Sequence, residues 1–182
     1  MRTTRAKVLH PLGGLPLVAW CVRAVRPLVG RVVVVVGHER EAVKAALADE
    51  GVVFAVQEPQ RGTGHALACA ASQVADLARI VVLAGDVPRL STESLLRALA
   101  QHEAHGAAAT VITFRPAAVA GYGRIARDEG GGIRAIVEEK EATAEERRIG
   151  EANASLYVFE IAEALPRLSA LPQRGAELYL TD

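Results

Sequence analysis

The chain has 182 residues with 21 basic and 21 acidic side chains, so its formal net charge is zero, whereas a nucleic-acid binder usually carries a basic excess. Hydrophobic residues make up 51% and charged residues 23%, the balance of an ordinary globular core and not of a disordered chain. Two cysteines, Cys21 and Cys69, build no disulfide framework and lack metal-ligand spacing, and no apolar run approaches the ~20 residues of a membrane span. The length suits one domain over residues 1–182, and a reducing cytoplasm is the expected compartment, with no nucleic-acid or membrane partner.

In chain order, Arg31–Val36 is a continuous β-branched run closed by Gly37-His38 and reads as a strand buried on both faces. Glu39–Asp49 follows with Ala42, Val43, Ala46 and Leu47 at helical spacing, and Gly51 ends it. Val52–Val56 is a second short strand, His65–Val74 an alanine-rich helix and Ile80–Leu83 a further buried strand. Ser91 is a natural N-cap for a helix running to about His102. Alternating apolar strands and helices predict a parallel α/β sheet. Beyond it, Ala108–Phe114 reads as a strand, and Gly123–Arg127 and Gly132–Glu138 as two strands around a turn at Asp128–Gly131. Asn153–Phe159 is another strand, and Ala162–Leu168 a short helix interrupted by Pro166.

Four groups of residues carry candidate chemistry. Gln57-Glu58-Pro59-Gln60-Arg61-Gly62-Thr63-Gly64-His65 lies between a strand and a helix. Its glycines permit close backbone approach to a flat ligand, and Gln57 with the Gly62-Thr63 backbone could read a pyrimidine edge. A plain strand–helix turn would look the same. Leu83-Ala84-Gly85-Asp86-Val87-Pro88 places one carboxylate beyond the end of a strand, where open α/β sheets bind ligands. That carboxylate suits Mg²⁺ shared with phosphate oxygens, or else a turn or helix cap. Lys7 precedes the first helix and could neutralise a phosphate, or simply be solvated. Gly121-Tyr122-Gly123-Arg124, Val137-Glu138-Glu139-Lys140 and Glu151-Ala152-Asn153 together offer the donors and acceptors that sugar hydroxyls need. Only three lysines occur, Lys7, Lys44 and Lys140, and Asn153 is the single asparagine. In so arginine- and alanine-rich a chain, a GC-rich coding background would have disfavoured all four.

The order of these motifs resembles the pyrophosphorylase (uridyltransferase) domain of bifunctional UDP-N-acetylglucosamine pyrophosphorylase/glucosamine-1-phosphate acetyltransferases. The resemblance rests on Lys7-Val8-Leu9-His10, Gln57 with Gly62-Thr63-Gly64-His65-Ala66, Gly85-Asp86-Val87-Pro88, Gly121-Tyr122-Gly123-Arg124-Ile125, Ile136-Val137-Glu138, Glu151-Ala152-Asn153 and Glu177-Leu178-Tyr179-Leu180-Thr181-Asp182. It implies a Rossmann-like nucleotidyltransferase fold with a mostly parallel mixed sheet. Met1 matches only the end of the family's glycine-rich phosphate loop, so the first strand and that loop are expected to be missing. The later metal-binding asparagine and the acetyltransferase β-helix domain, through which the parent protein would form a homotrimer, are expected to lie beyond the chain. Ala84 and Ala154-Ser155 replace residues common in the family.

The resemblance further implies uridylyl transfer from UTP to N-acetylglucosamine 1-phosphate. The products are UDP-N-acetylglucosamine, a cell-envelope precursor, and pyrophosphate. Asp86 would hold Mg²⁺ and Lys7 would pair with phosphate oxygens, the two being the catalytic candidates. Gln57, Gly62 and Thr63 would hold uracil, and Gly123, Glu138 and Asn153 the sugar, with His65 and Tyr122 in support. Three other expectations compete: a different sugar-1-phosphate nucleotidyltransferase, a non-catalytic module that binds nucleotide sugars, and a structural remnant with no independent fold, since a missing central strand would leave unpaired edges.

Overall fold

The computed structural model describes residues 5–168, 170 and 177–181; Met1 and Asp182, which take part in motifs read above, lie outside them. A single 3₁₀ turn at Lys7–Leu9 leads into a small ribbon, β1 (Pro11–Leu12) with β2 (Leu15–Pro16). Helix α1 (Leu17–Val25) follows, burying Val18, Ala19, Cys21, Val22 and Val25 on one face. That spacing is readable in the run Leu17-Val18-Ala19-Trp20-Cys21-Val22-Arg23-Ala24-Val25.

Strand β3 (Val33–Val36), helix α2 (Arg40–Ala46) and strand β4 (Val53–Val56) form the first βαβ unit, with β3 and β4 parallel and Val33 opposite Val53. Helix α2 is shorter than the predicted Glu39–Asp49. It starts after Glu39 at φ +51° and stops before Leu47 at φ −116°. Helix α3 (Gly62–Val74) begins three residues earlier than predicted. The Gly62-Thr63-Gly64 stretch is therefore the first helical turn and not a loop ahead of it. Strand β5 (Arg79–Leu83) and helix α4 (Thr92–Ala104) come next. Ser91 caps α4 as expected, its hydroxyl accepting the Ser94 N–H at 3.1 Å.

The second half supplies β6 (Ala109–Phe114), β7 (Arg124–Arg127), β8 (Ile133–Val137), β9 (Ala152–Glu160) and α5 (Ile161–Leu168), the last formed despite Pro166. The β7–β8 turn is closed by Asp128, whose backbone N–H reaches Gly132 O at 3.0 Å and whose carboxylate accepts the Gly132 N–H at 2.8 Å. Strands β5, β6, β7, β8 and β9 form one five-stranded sheet in which β9 is the hub, pairing with β5, β6 and β7. The α/β architecture with a mixed strand set is as expected, but strand direction departs from a mostly parallel sheet. Every pairing in the five-stranded sheet is antiparallel, and the parallel ladder is confined to β3–β4. The reason is β9, which runs against β5 and β6 alike. Among the described residues no ladder joins β3 to β5.

The two sheets meet through side chains. One apolar cluster gathers Leu9, Val18, Val22, Val36, Val43 and Leu47 between α1, β3 and α2. A second joins Leu67, Val74, Ile80, Ile161 and Leu168, with Val33 and Val82 packed against it. Such burial contributes roughly 1.5–3 kcal/mol per large aliphatic side chain.

The β7–β9 junction is tied by charge. Glu151, buried ahead of β9, receives Arg127 Nε at 2.9 Å and Nη2 at 2.6 Å, with Arg115 at 3.6 Å. The Arg127 hydrogen bonds hold its carboxyl down at about 2 against an ordinary 4.5. Because the folded value lies below the unfolded one, this stabilisation is complete above pH 4.5 and is lost as pH falls towards 2. Glu151→Gln is therefore expected to flatten the acid limb of the stability–pH curve by about 1–2 kcal/mol, solvent screening at Arg127 allowed for. Urea titrations at pH 7 and pH 3 test this; an equal pH-dependence in variant and parent would refute it.

Candidate functional site

The first cluster is made by close packing at the end of β5. Gly85 sits where a Cβ would come within 3.3 Å of Val8 Cγ1 and 3.6 Å of Val18 Cγ2. The N-terminal turn therefore lies directly against the β5 loop, and Lys7 Nζ reaches Asp86 Oδ2 at 2.5 Å. The Asp86 side chain is 23% exposed and that of Lys7 70%, so the pair opens to solvent and adds little stability. Among the described residues no three His, Cys, Asp or Glu side chains are grouped to hold a metal. A lone carboxylate beside an ammonium fits Mg²⁺ only where phosphate oxygens complete its shell, which is how that ion is commonly held.

The second cluster sits where β4 runs into α3. Gln57 is buried and its backbone N–H continues the β3–β4 ladder to Val36 O at 2.8 Å. Its side-chain amide donates to Gly62 O at 2.9 Å and lies 3.1 Å from His65 Nδ1. Gly62 has φ +85°, a conformation that favours glycine. A strap formed by residues 177–181 crosses this helix start. Leu178 O accepts the Gly64 N–H at 2.8 Å, Leu178 N–H donates to Arg61 O at 2.8 Å, and Leu180 N–H donates to Thr63 Oγ1 at 3.0 Å. The orphan donors of the first helical turn are thus satisfied by chain more than a hundred residues away.

The third cluster brings Gly123, Glu138 and Asn153 together. A Cβ on Gly123 would stand 3.4 Å from Ile136 Cγ2, 3.6 Å from Glu138 Oε1 and 3.7 Å from Asn153 Cβ. The backbone completes the join, Asn153 N–H donating to Gly123 O at 2.9 Å. Asn153 is buried, with Nδ2 donating to Tyr157 Oη at 2.6 Å and Oδ1 accepting the Ser155 N–H at 3.0 Å. Burial pushes the Tyr157 hydroxyl above its ordinary pKa, and Glu138 adds to that. Nearby, Arg124 is buried and pairs with Glu139 at 2.6 Å. Glu139 is held below its ordinary pKa first by the Gly121 N–H and then by Arg124. Tyr122 stacks edge-on against Phe114 with ring centres 5.0 Å apart.

Each predicted site residue thus falls into one of three groups, Lys7 with Asp86, Gln57 with Gly62 and Thr63, and Gly123 with Glu138 and Asn153. The strap links the second and third, since Thr181 Oγ1 lies 3.4 Å from Glu138 Oε1. Among the described residues no hydrogen bond or ion pair links Lys7 or Asp86 to the other two groups. The sequence reading missed the work of the 177–181 strap. Nothing local in Glu177-Leu178-Tyr179-Leu180-Thr181 signals which helix it covers. Of the other lysines, Lys44 pairs with Glu41 on α2 at 3.0 Å, away from these groups. No helix among the described residues is long and apolar enough to cross a membrane.

Comparison with known proteins bears on the family and the fold. Residues 1–176 match the family described as the MobA-like NTP transferase domain. The Bifunctional protein GlmU of Geobacter sulfurreducens is 44% identical over 188 residues, taking in 100% of this chain and 39% of that protein. Its counterpart in Mycolicibacterium vanbaalenii is 44% identical over 194 residues, again with 100% of this chain and 39% of the relative. The chain thus spans about two fifths of the length of these curated relatives. Among solved structures, that of a UDP-glucose pyrophosphorylase complexed with UDP-glucose superposes with a TM-score of 0.68 at 18% identity. The match covers 97% of this chain and 76% of that one, and at that identity it speaks for the fold.

Proposed function

The chain belongs to the MobA-like NTP transferase family, and on that footing we propose that it is the uridylyltransferase part of a longer enzyme, joining UTP to N-acetylglucosamine 1-phosphate. The observation that carries this reading is the convergence of Gly123, Glu138 and Asn153 beside a strap that also covers the Gln57–Thr63 group. A carboxylate, an amide and bare backbone at one spot suit a sugar, and the adjoining helix start suits a base.

A sugar phosphate is already an anionic nucleophile, so attack of its oxygen on the α-phosphorus of UTP needs no protein base. The chain's contribution is positioning and charge neutralisation. Lys7 would leave Asp86 to pair with phosphate oxygens. Mg²⁺, held by Asp86 and phosphate oxygens, would supply positive charge against the leaving pyrophosphate. Gln57 with the Gly62 and Thr63 backbone would orient uracil. Glu138 would accept from sugar hydroxyls, and Asn153 would use the second hydrogen and second lone pair of its amide.

Glu138→Ala is expected to raise KM for the sugar phosphate about 10–100-fold, with kcat and KM for UTP changed less than about threefold. Steady-state kinetics on the enzyme test it, and an unchanged KM would remove Glu138 from the sugar pocket. A second reading, transfer to a different sugar 1-phosphate, is favoured by one observation. The Asn153 amide is already engaged by Tyr157 and Ser155, which leaves less of it for an N-acetyl group. A panel of sugar 1-phosphates separates the two readings.

A further inference from the structure

We propose that His65 is a positioning residue that makes Gln57 a hydrogen-bond acceptor toward the base, so that the site selects uracil over cytosine. The proposal deepens the uridylyl reading and rests on it. Its starting point is the Gln57 amide. Gly62 O can only accept, so the group facing it at 2.9 Å must be the Gln57 NH₂. The same nitrogen is 3.1 Å from His65 Nδ1, which must then carry no proton. Turning the amide over would set two oxygens against each other at Gly62.

The imidazole proton is accordingly on Nε2, which faces Cys69 Sγ at 3.6 Å one helical turn further along α3. Cys69, His65 and Gln57 form a relay in which every hydrogen has a direction. With the amide nitrogen taken up by Gly62 O and His65 Nδ1, the atom of the Gln57 amide left to meet a base is Oε1. Gln57 is 7% exposed, so the amide has little room to swing and little water to compensate a mismatch.

An acceptor at this position matches uracil, whose ring N3 carries a hydrogen. Cytosine presents a lone pair at N3, and two acceptors would face each other in a desolvated site, the kind of mismatch that discriminates strongly. Gly62 O alone secures one amide hydrogen; His65 secures the other and prevents rotation about the last side-chain bond. Without the imidazole the amide gains freedom, and the preference for uracil falls while the fold remains.

The test compares the parent chain with His65→Leu, which removes the acceptor, and His65→Asn, whose Oδ1 stands close to where Nδ1 was. UDP and CDP are titrated calorimetrically against each. The UDP-to-CDP affinity ratio is expected to fall about tenfold or more in His65→Leu and to stay within about threefold of the parent in His65→Asn. An unchanged ratio in His65→Leu would overturn the proposal, because a residue with a merely structural role would weaken both nucleotides together. Nitrogen-15 shifts of the ring, assigned with the variants, supply a readout that needs no ligand. A bare Nδ1 and a protonated Nε2 are expected, with a change at Nδ1 in Gln57→Leu. A proton on Nδ1, or no response to Gln57→Leu, refutes the positioning role. A parent chain that binds neither nucleotide counts against the uridylyl reading, and the ring-nitrogen result still decides the role of His65.

Discussion

Asp86→Ala in a turnover-competent enzyme should lower uridylyl transfer by at least about 10³-fold while leaving nucleotide-sugar affinity within about tenfold. The asymmetry follows from the Lys7–Asp86 pair. Deleting the carboxylate removes the only acidic side chain of the β5 loop and with it the expected seat of Mg²⁺. It also frees the Lys7 ammonium from its 2.5 Å partner, so phosphate binding without metal should be kept or even strengthened. Binding is read by calorimetry with and without Mg²⁺, and turnover by pyrophosphate release. Near-parental turnover in Mg²⁺ would remove Asp86 from the metal site. Equal loss of binding and turnover would mean that the pair is needed to hold the loop and not to do chemistry.

Gly62→Ala should be the most damaging glycine-to-alanine change among the described residues. Gly62 lies at φ +85°, which an alanine adopts only at a cost. The added Cβ would stand 2.5 Å from Leu178 O and 3.1 Å from Leu178 C, backbone atoms that cannot rotate aside. Strain and overlap together are expected to cost about 2–4 kcal/mol, or to be relieved by release of residues 177–181. The alternatives are told apart by hydrogen exchange. Release exposes the Gly64 and His65 amides, now covered by Leu178 O at 2.8 and 3.4 Å, without lowering the unfolding midpoint much. Retained strain lowers the midpoint by about 5–12 °C. A variant that shows neither change would contradict the described position of the strap.

How much of this was legible beforehand depends on range. β3, β4, β5, β6, β7, β8 and β9 were all foreseen to within a few residues, because apolar runs and turn residues are local signals. The Ser91 cap was legible for the same reason, since its partner is three residues away. Strand direction was not. Nothing in Ala152–Glu160 says that it will pair with both β5 and β6, since pairing is decided by packing of distant segments. Site residues behaved alike. The grouping of Gly123, Glu138 and Asn153 came from a resemblance of motifs and not from spacing. The helical start at Gly62 was missed because two glycines argue for a loop. The contacts that overrule them come from Leu178 and Leu180.

The absence of a ladder between β3 and β5 bears on how the molecule opens. Backbone hydrogen bonds are the most cooperative ties across a sheet, and among the described residues no ladder crosses the border between the β3–β4 pair and the strands around β9. What crosses that border is mainly apolar contact, such as Val33 packed against the cluster that holds Leu67, Val74 and Ile80. The β3–α2–β4 part should therefore open as a foldon of its own, at a lower free energy than global unfolding, while the strands around β9 stay protected. Gln57 rides on the first part and Asp86 on the second, so breathing at this seam changes the distance between the base and phosphate ends of the proposed site.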